Sequence, residues 1–277
     1  MAYHKILTIQ DISCVGQCSL TVALPILSAL GQETCILPSA VLSTHTAGFS
    51  GFTVRELTED IPAIAAHWKK EGIAFDAIYT GYLGSTEQID YVKSIFQNLS
   101  KPGCVHIVDP AMADNGKLYP AFDLEYVKEM KTLVACADVI LPNITEACFL
   151  TDTEYKESYT ESYVDELLGK LAELGAKATV LTGVSYRPET TGVVVFENGK
   201  KQYYEHRKIA KGCHGTGDVY ASAFVGALLN GKSLYEATAV AADYTVSCIE
   251  YTQDDPDHWY GVKFEPVLKD LIDAVNR

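Results

Sequence analysis

Basic side chains are scarce in this chain. Against 36 Asp and Glu stand only 22 Lys and Arg in 277 residues, a formal net charge of −14 at pH 7. The deficit excludes nucleic-acid polymers as the main partner, because a phosphate backbone demands a basic footprint. It speaks equally against an anionic membrane surface. Long apolar runs are missing too. The longest, residues 19–30, falls short of the roughly 20 residues that span a bilayer. Residues 1–11 lack the apolar core and small-residue cleavage site of a secretory leader. The expectation is a cytosolic protein with no membrane contact. Prolines number only 10, and no Pro- or Gly-rich linker divides the chain, so a single domain over residues 1–277 is expected. Eight cysteines are scattered without any Cys-x-x-Cys, and Cys14 with Cys18 finds no matching pair downstream. That spacing excludes a disulfide framework and disfavours a structural zinc. Most of the cysteines read as small buried apolar residues.

What remains is a chain with 48% apolar and 21% charged residues, enough apolar surface for a large core. Short apolar runs at 5–10, 33–37, 75–80, 105–109, 137–141 and 178–181 read as buried strands. Between them, residues 16–30, 56–71, 88–99 and 163–174 read as helices. This alternation indicates stacked βαβ units, an α/β fold with a mostly parallel central sheet and helices on both faces. After Gly183 the rhythm changes. Runs 191–196 and 201–206 flank Asn198 and Gly199 as a small β-hairpin, and helices follow at 218–229, 234–249 and 264–275. Trp68 and the singly placed histidines read as packing residues, and 254–258 as a solvated acidic turn.

The sharpest local signal is Gly215, Thr216, Gly217 and Asp218 opening an apolar helix. Glycines at a helix start let backbone N–H groups converge on an anion with the positive end of the macrodipole behind them. Asp218 there is either a first-turn carboxylate that favours the dipole or a general base beside a phosphate cradle. Two expected strands end in metal-holding groups. One ends in Asp109, the other runs into Asn143 and, three residues on, Glu146. Each alone is also an ordinary turn or cap residue. Together Asp109 and Glu146 would hold Mg²⁺ directly or through water, at the strand ends where open α/β sheets bind ligands.

These segments, with Ile6 to Asp11, Ser43 to Thr46, Thr80 to Gln88 and Val108 to Met112, run in the order of the ribokinase-like superfamily. The chain resembles the pyridoxal (pyridoxine/pyridoxamine) kinases of that superfamily. The block Gly81-Tyr-Leu-Gly-Ser85, with Glu87 and Gln88, carries the subfamily resemblance. It implies a three-layer ribokinase-like fold and transfer of the ATP γ-phosphoryl group to the 5′-hydroxymethyl arm of a pyridine vitamer. On that resemblance Asp218 is the base, and Gly215, Thr216 and Gly217 form the anion hole. Asp109, Asn143, Glu146 and Thr182 lie on the nucleotide side; Asp11, His45, Thr46, Tyr82 and Cys213 face the substrate. The resemblance also implies Mg²⁺, K⁺, a homodimer, and a mobile loop over residues 112–119 that closes on ATP.

The chain departs from the family at two positions. Asp11 stands where many relatives have Ser, and Thr182 where longer bacterial relatives carry Lys. A thiol at Cys213 could add reversibly to an aldehyde, or it is simply a buried thiol. The rival within the fold is a hydroxymethylpyrimidine kinase of thiamin synthesis, a branch that often has Cys at the position of Asp218. A catalytically silent nucleotide- or pyridoxal-binding protein would keep the fold but lose the base or the metal pair. A dinucleotide oxidoreductase would need Gly-x-Gly-x-x-Gly after the first strand, which is absent.

Overall fold

Apolar runs that can be buried on both faces become the strands of one sheet, and amphipathic stretches cover it. The computed structural model describes residues 3–209 and 212–277. The strands are β1 (Lys5–Ser13), β2 (Glu33–Leu42), β3 (Val54–Glu56), β4 (Phe75–Thr80), β5 (Ser100–Val108), β6 (Ala113–Asp114), β7 (Lys117–Leu118), β8 (Val139–Ile140), β9 (Ala178–Val184), β10 (Thr190–Glu197) and β11 (Lys200–Arg207). The helices are α1 (Leu20–Ala29), α2 (Ile61–Lys70), α3 (Thr86–Asn98), α4 (Leu124–Val134), α5 (Ile144–Leu150), α6 (Glu161–Glu173), α7 (Thr216–Leu229), α8 (Leu234–Thr252) and α9 (Leu268–Val275).

Nine strands form the main sheet in the order β11-β10-β9-β8-β5-β4-β1-β2-β3. The six from β9 to β2 are parallel; β3 at one edge and the β10–β11 pair at the other are antiparallel. From β1 the chain steps to β2 on one side, then crosses to β4 on the other. The strand order therefore reverses between β1 and β4, and the carboxyl ends of these two strands border a crevice. Leu7, Ile9, Ile78, Val108 and Leu181 point to one face, under α2 to α6. Ile6, Tyr79, Ile107 and Val180 point to the other, under α1, α7, α8 and α9. The architecture is the expected three-layer ribokinase-like fold.

Several expectations need correction. The helix expected over 56–71 begins only at Ile61: Pro62 occupies its first turn, the one place where a missing N–H costs nothing. Glu56 belongs instead to edge strand β3. Helix α4, not anticipated, is capped by Asp123 and buries Tyr126, Val127, Met130, Leu133 and Val134 along one stripe. The helix expected at 264–275 opens with a 3₁₀ turn, Glu265–Val267. Of the eight cysteines only Cys148 and Cys248 are buried, and Cys14 and Cys136 are exposed. The hairpin forms as expected, with Asn198 and Gly199 both at positive φ. Trp68 packs edge-on against Phe75, and His106 stacks on Phe96.

The segment from Gly81 to Gln88 has a physical explanation. A Cβ at Gly81 would meet the Gln10 side chain, and one at Gly84 the Glu56 carboxyl. Ser85 caps α3 by accepting from the Gln88 N–H. The buried Gln88 side chain accepts from the Gly84 N–H at 2.8 Å and donates to the Ser39 carbonyl and the Thr58 hydroxyl. It thereby ties β2, the β3–α2 turn and the β4–α3 loop together. Gln88→Leu keeps the volume and strips these partners of their bonds. We expect it to lower stability by about 2–4 kcal/mol, read as a fall in the urea midpoint with the slope unchanged; an unchanged midpoint would rule out this bracing role.

Candidate active site

The site starts at Gly215, the N-cap of α7, with φ at 78°. A side chain there would suffer the left-handed backbone, and its Cβ would also collide with the Gln17 carbonyl oxygen. Glycine is required on both counts. It lets the chain turn so that Thr216, Gly217 and Asp218 form the first turn, whose N–H groups have no partner within the helix. The Thr216 hydroxyl donates to the Cys213 carbonyl and braces the approach.

Asp218 is the third residue of α7, and the Ser19 backbone offsets part of its charge. Burial, and then repulsion from Asp109, push its pKa up to about 7. Asp109 lies just past β5, positioned by its own N–H to the Thr80 carbonyl. Its Oδ1 accepts from the Ala111 N–H at 3.2 Å. Burial, then the charge of Glu146, raise its pKa well above the usual carboxylate range. Glu146 sits in the capping box of α5: the Asn143 Oδ1 accepts from the Glu146 N–H, and the Glu146 Oε2 from the Asn143 N–H. Its Oε1 accepts from the Met112 N–H at 3.0 Å. Burial nevertheless pushes its pKa up to about 7. A chain of electrostatic contact thus runs from Glu146 through Asp109 and Asp218 to Asp11, whose charge also raises Asp218. The Tyr119 phenol borders the same group and is held un-ionised by burial and by these carboxylates.

The other expected residues are distributed around this line. Thr182 bridges to Asn143, its N–H donating to the Pro142 carbonyl, so both stand on the Glu146 side. Asp11 is buried in β1. His45 is buried on the loop after β2: its Nδ1 accepts from the Ala47 N–H, which leaves Nε2 to donate to the Tyr260 carbonyl at 2.6 Å. Thr46 beside it is exposed. Tyr82 is half-buried, 5.4 Å from the Phe122 ring, and its phenol is pushed up to about 12 by burial, Glu56 and Asp11. Cys213 is half-buried and packs against the apolar layer under α7.

Residues 112–119, expected as a mobile loop, form the β6–β7 hairpin. Asn115 and Gly116 turn at positive φ, the Gly116 N–H donates to the Thr145 hydroxyl, and Asn143 Nδ2 donates to the Ala113 carbonyl.

Sequence reasoning missed an aromatic wall. Phe49 lies 5.0 Å from His45 and 4.7 Å from Trp259, while His214 lies 5.5 Å from His45. It also missed Phe122 and Glu56 near Tyr82. Aromatic residues in the loops that follow strand ends were the available signal.

Among the described residues no three His, Cys, Asp or Glu side chains gather into a metal cage, and no helix is long and apolar enough to cross a membrane. The donor set nonetheless fits Mg²⁺, which takes one or two carboxylates and keeps phosphate and water as its remaining ligands. Asp109 has the freer carboxylate, since both Glu146 oxygens already accept backbone N–H groups.

Residues 27–262 match the family model described as phosphomethylpyrimidine kinase. The chain belongs to this family. A candidate phosphomethylpyrimidine kinase from Bacteroides thetaiotaomicron superposes with a TM-score of 0.93 at 38% identity, covering 97% of this chain and 94% of that one. A second crystal form of that protein, at 39% identity and TM-score 0.91, contains pyridoxal and covers 96% of this chain and 95% of that one. Pyridoxal kinase from Lactobacillus plantarum superposes with a TM-score of 0.90 at 32% identity, covering 98% of this chain and 97% of that one. Among curated relatives, the hydroxymethylpyrimidine/phosphomethylpyrimidine kinase of Bacillus subtilis is 26% identical over 91% of both chains. The chain spans about half the length of the bifunctional thiamine-biosynthetic enzymes of Arabidopsis thaliana and Oryza sativa that it also matches. It has the ribokinase-like fold of the pyridoxal kinases, and its family is one of small-molecule kinases.

Gly215→Ala places a methyl group against the Gln17 carbonyl in a left-handed conformation. We expect turnover to fall at least about tenfold and stability by about 1–3 kcal/mol. Wild-type melting and turnover in this variant would show that the cradle tolerates a side chain there.

Proposed function

We propose that this kinase transfers the γ-phosphoryl group of ATP to the 5′-hydroxymethyl arm of pyridoxal, pyridoxamine or pyridoxine. The observation that carries the reading is the Asp218 carboxylate behind the α7 amides, with its pKa raised to about 7. A base poised near neutrality takes the proton of a hydroxyl most effectively. The pyridine choice draws support from the relative whose crystals hold pyridoxal and from Asp, not Cys, at position 218.

In this reading the wall of Phe49, Tyr82, Phe122 and Trp259 sandwiches a flat heteroaromatic ring and excludes water. His45, with its tautomer set by Ala47 and Tyr260, and Thr46 offer polar contacts to the ring substituents. Asp218 accepts the hydroxyl proton as the oxygen attacks. The N–H groups of Thr216, Gly217 and Asp218 take up charge developing on the transferring group. Asp109 and Asn143, with Thr182 beside them, face the nucleotide, and Glu146 holds the β6–β7 hairpin and the α5 cap in register. Asp109 would hold Mg²⁺ directly and Glu146 through water; the ion would supply screening of phosphate charge that the chain's few basic residues do not.

A second reading, phosphorylation of hydroxymethylpyrimidine, is favoured by the family model and by the Bacillus subtilis relative. The deciding experiment is an ATP-coupled assay over the three B6 vitamers and hydroxymethylpyrimidine, with Mg²⁺, in K⁺ and again in Na⁺. We expect the vitamers to be phosphorylated with higher kcat/KM than the pyrimidine, and faster in K⁺; the reverse ranking of substrates transfers the assignment to the second reading. Asp218→Asn should lower kcat by about 10²–10⁴-fold while ATP still binds; undiminished turnover would place the base elsewhere.

The pH dependence has a definite sign. A base acts only when ionised, and Asp218 titrates at about 7 in the free protein. We therefore expect kcat/KM to fall about tenfold per pH unit below that value and to level off above it. An acid limb near 4 would contradict the proposed environment of Asp218.

A further inference from the structure

Ser19 has an unusual backbone. It occupies the N-cap of α1 with φ at 53° and ψ at −129°, a conformation in which glycine is at ease and a side chain is not. A serine at an N-cap ordinarily accepts an N–H from the first turn of its own helix; Ser19 makes no such bond. Its hydroxyl instead donates to Asp11 Oδ1 at 2.5 Å, and Asp11 Oδ2 accepts the Ser13 hydroxyl at 3.0 Å. Both Asp11 and Ser19 are 6% exposed, so the pair is shielded from competing water. A bridge to Ile12 holds the Ser19 backbone from the other side. The segment so held abuts the start of α7, where a Cβ at Gly215 would meet the Gln17 carbonyl and the Cys18 sulfur, and the Ser19 backbone offsets part of the Asp218 charge.

A strained conformer persists only where its surroundings over-determine it, and such conformers gather at functional sites. Here the over-determining group is a buried carboxylate, and what it fixes is the backbone of the segment that packs on the start of α7. We propose that Asp11 is a positioning residue that acts through Ser19, holding the 17–19 segment against the start of α7 beside Asp218. The idea rests on the reading of Asp218 as the base. It takes Asp11 out of substrate recognition: both of its oxygens already accept hydroxyl protons from its own chain. It also accounts for Asp at this position, because a charged acceptor holds a hydroxyl more firmly than a neutral one.

The test is a double-mutant cycle of Asp11→Ala and Ser19→Gly. Glycine adopts the Ser19 conformation without steric cost and carries no hydroxyl to anchor. In the wild-type background, Asp11→Ala should lower kcat about tenfold or more and leave KM for the hydroxymethyl substrate within about twofold. In the Ser19→Gly background the same change should alter kcat by less than about twofold, a strong coupling between the two sites. A rise in KM with kcat preserved would make Asp11 a substrate contact, and equal losses in both backgrounds would separate it from Ser19; either result overturns the proposal.

The cycle is also read by thermal unfolding, which needs no substrate. There Asp11→Ala should depress Tm more in the wild-type background than in the Ser19→Gly background, and additive shifts would refute the coupling. If no substrate is turned over, the functional reading fails, while the melting cycle still decides whether Asp11 holds Ser19. Should the alanine variant fail to fold, Asp11→Asn takes its place in both backgrounds with the same signs and smaller losses.

Discussion

Four carboxylates lose hydration where the strand order reverses, and much of the surrounding backbone is arranged to tolerate them. Glu146 is received by three backbone amides, those of Met112 and Ala113 at the entry to the hairpin and one from its own helix cap. Asp109 has the Ala111 amide and Asp11 two hydroxyls, while the Ser19 backbone offsets part of the Asp218 charge. These donors are neutral, and among the described residues no lysine or arginine is paired with any of the four. A neutral donor lowers the cost of burying a charge without cancelling it. The residual repulsion leaves the group receptive to a divalent cation and to protons from an alcohol, the two species that phosphoryl transfer to a hydroxyl brings to the site.

What could be read beforehand divides along physical lines. Strands such as β1, β4 and β9 are buried on both faces, so their apolar runs are unbroken and conspicuous. Strands β3, β6 and β7 have two or three residues at the periphery, too short for any periodicity to register. Helix α4 carries a readable stripe under its Asp123 cap, whereas a helix start at Glu56 ignores the restriction that Pro62 imposes.

The candidate site shows the same division. Asp109, Asn143, Glu146 and Asp218 stand at strand ends and helix starts, features local in the chain, and the fold brings them together. Phe49, Glu56, Phe122 and Trp259 come from separate loops and an edge strand, and only tertiary structure makes them neighbours. Ser19 was invisible for another reason. A serine before a helix is ordinary, and nothing in the letters records that its φ is positive.

The placement of α7 has a consequence for how the molecule comes into being. Asp109 and Glu146 are made by just past the midpoint of the chain, while Gly215 to Asp218 arrive later, with α7. Until that helix seats, α1 rests on β1 and β2 without the neighbour that completes its burial, and the Gln17 carbonyl faces no glycine. A nascent chain can therefore assemble the Asp109–Glu146 side of the crevice before Asp218 is in place. The carboxylate group is completed only with the last third of the polypeptide, so the proposed base is the last of the four to join it.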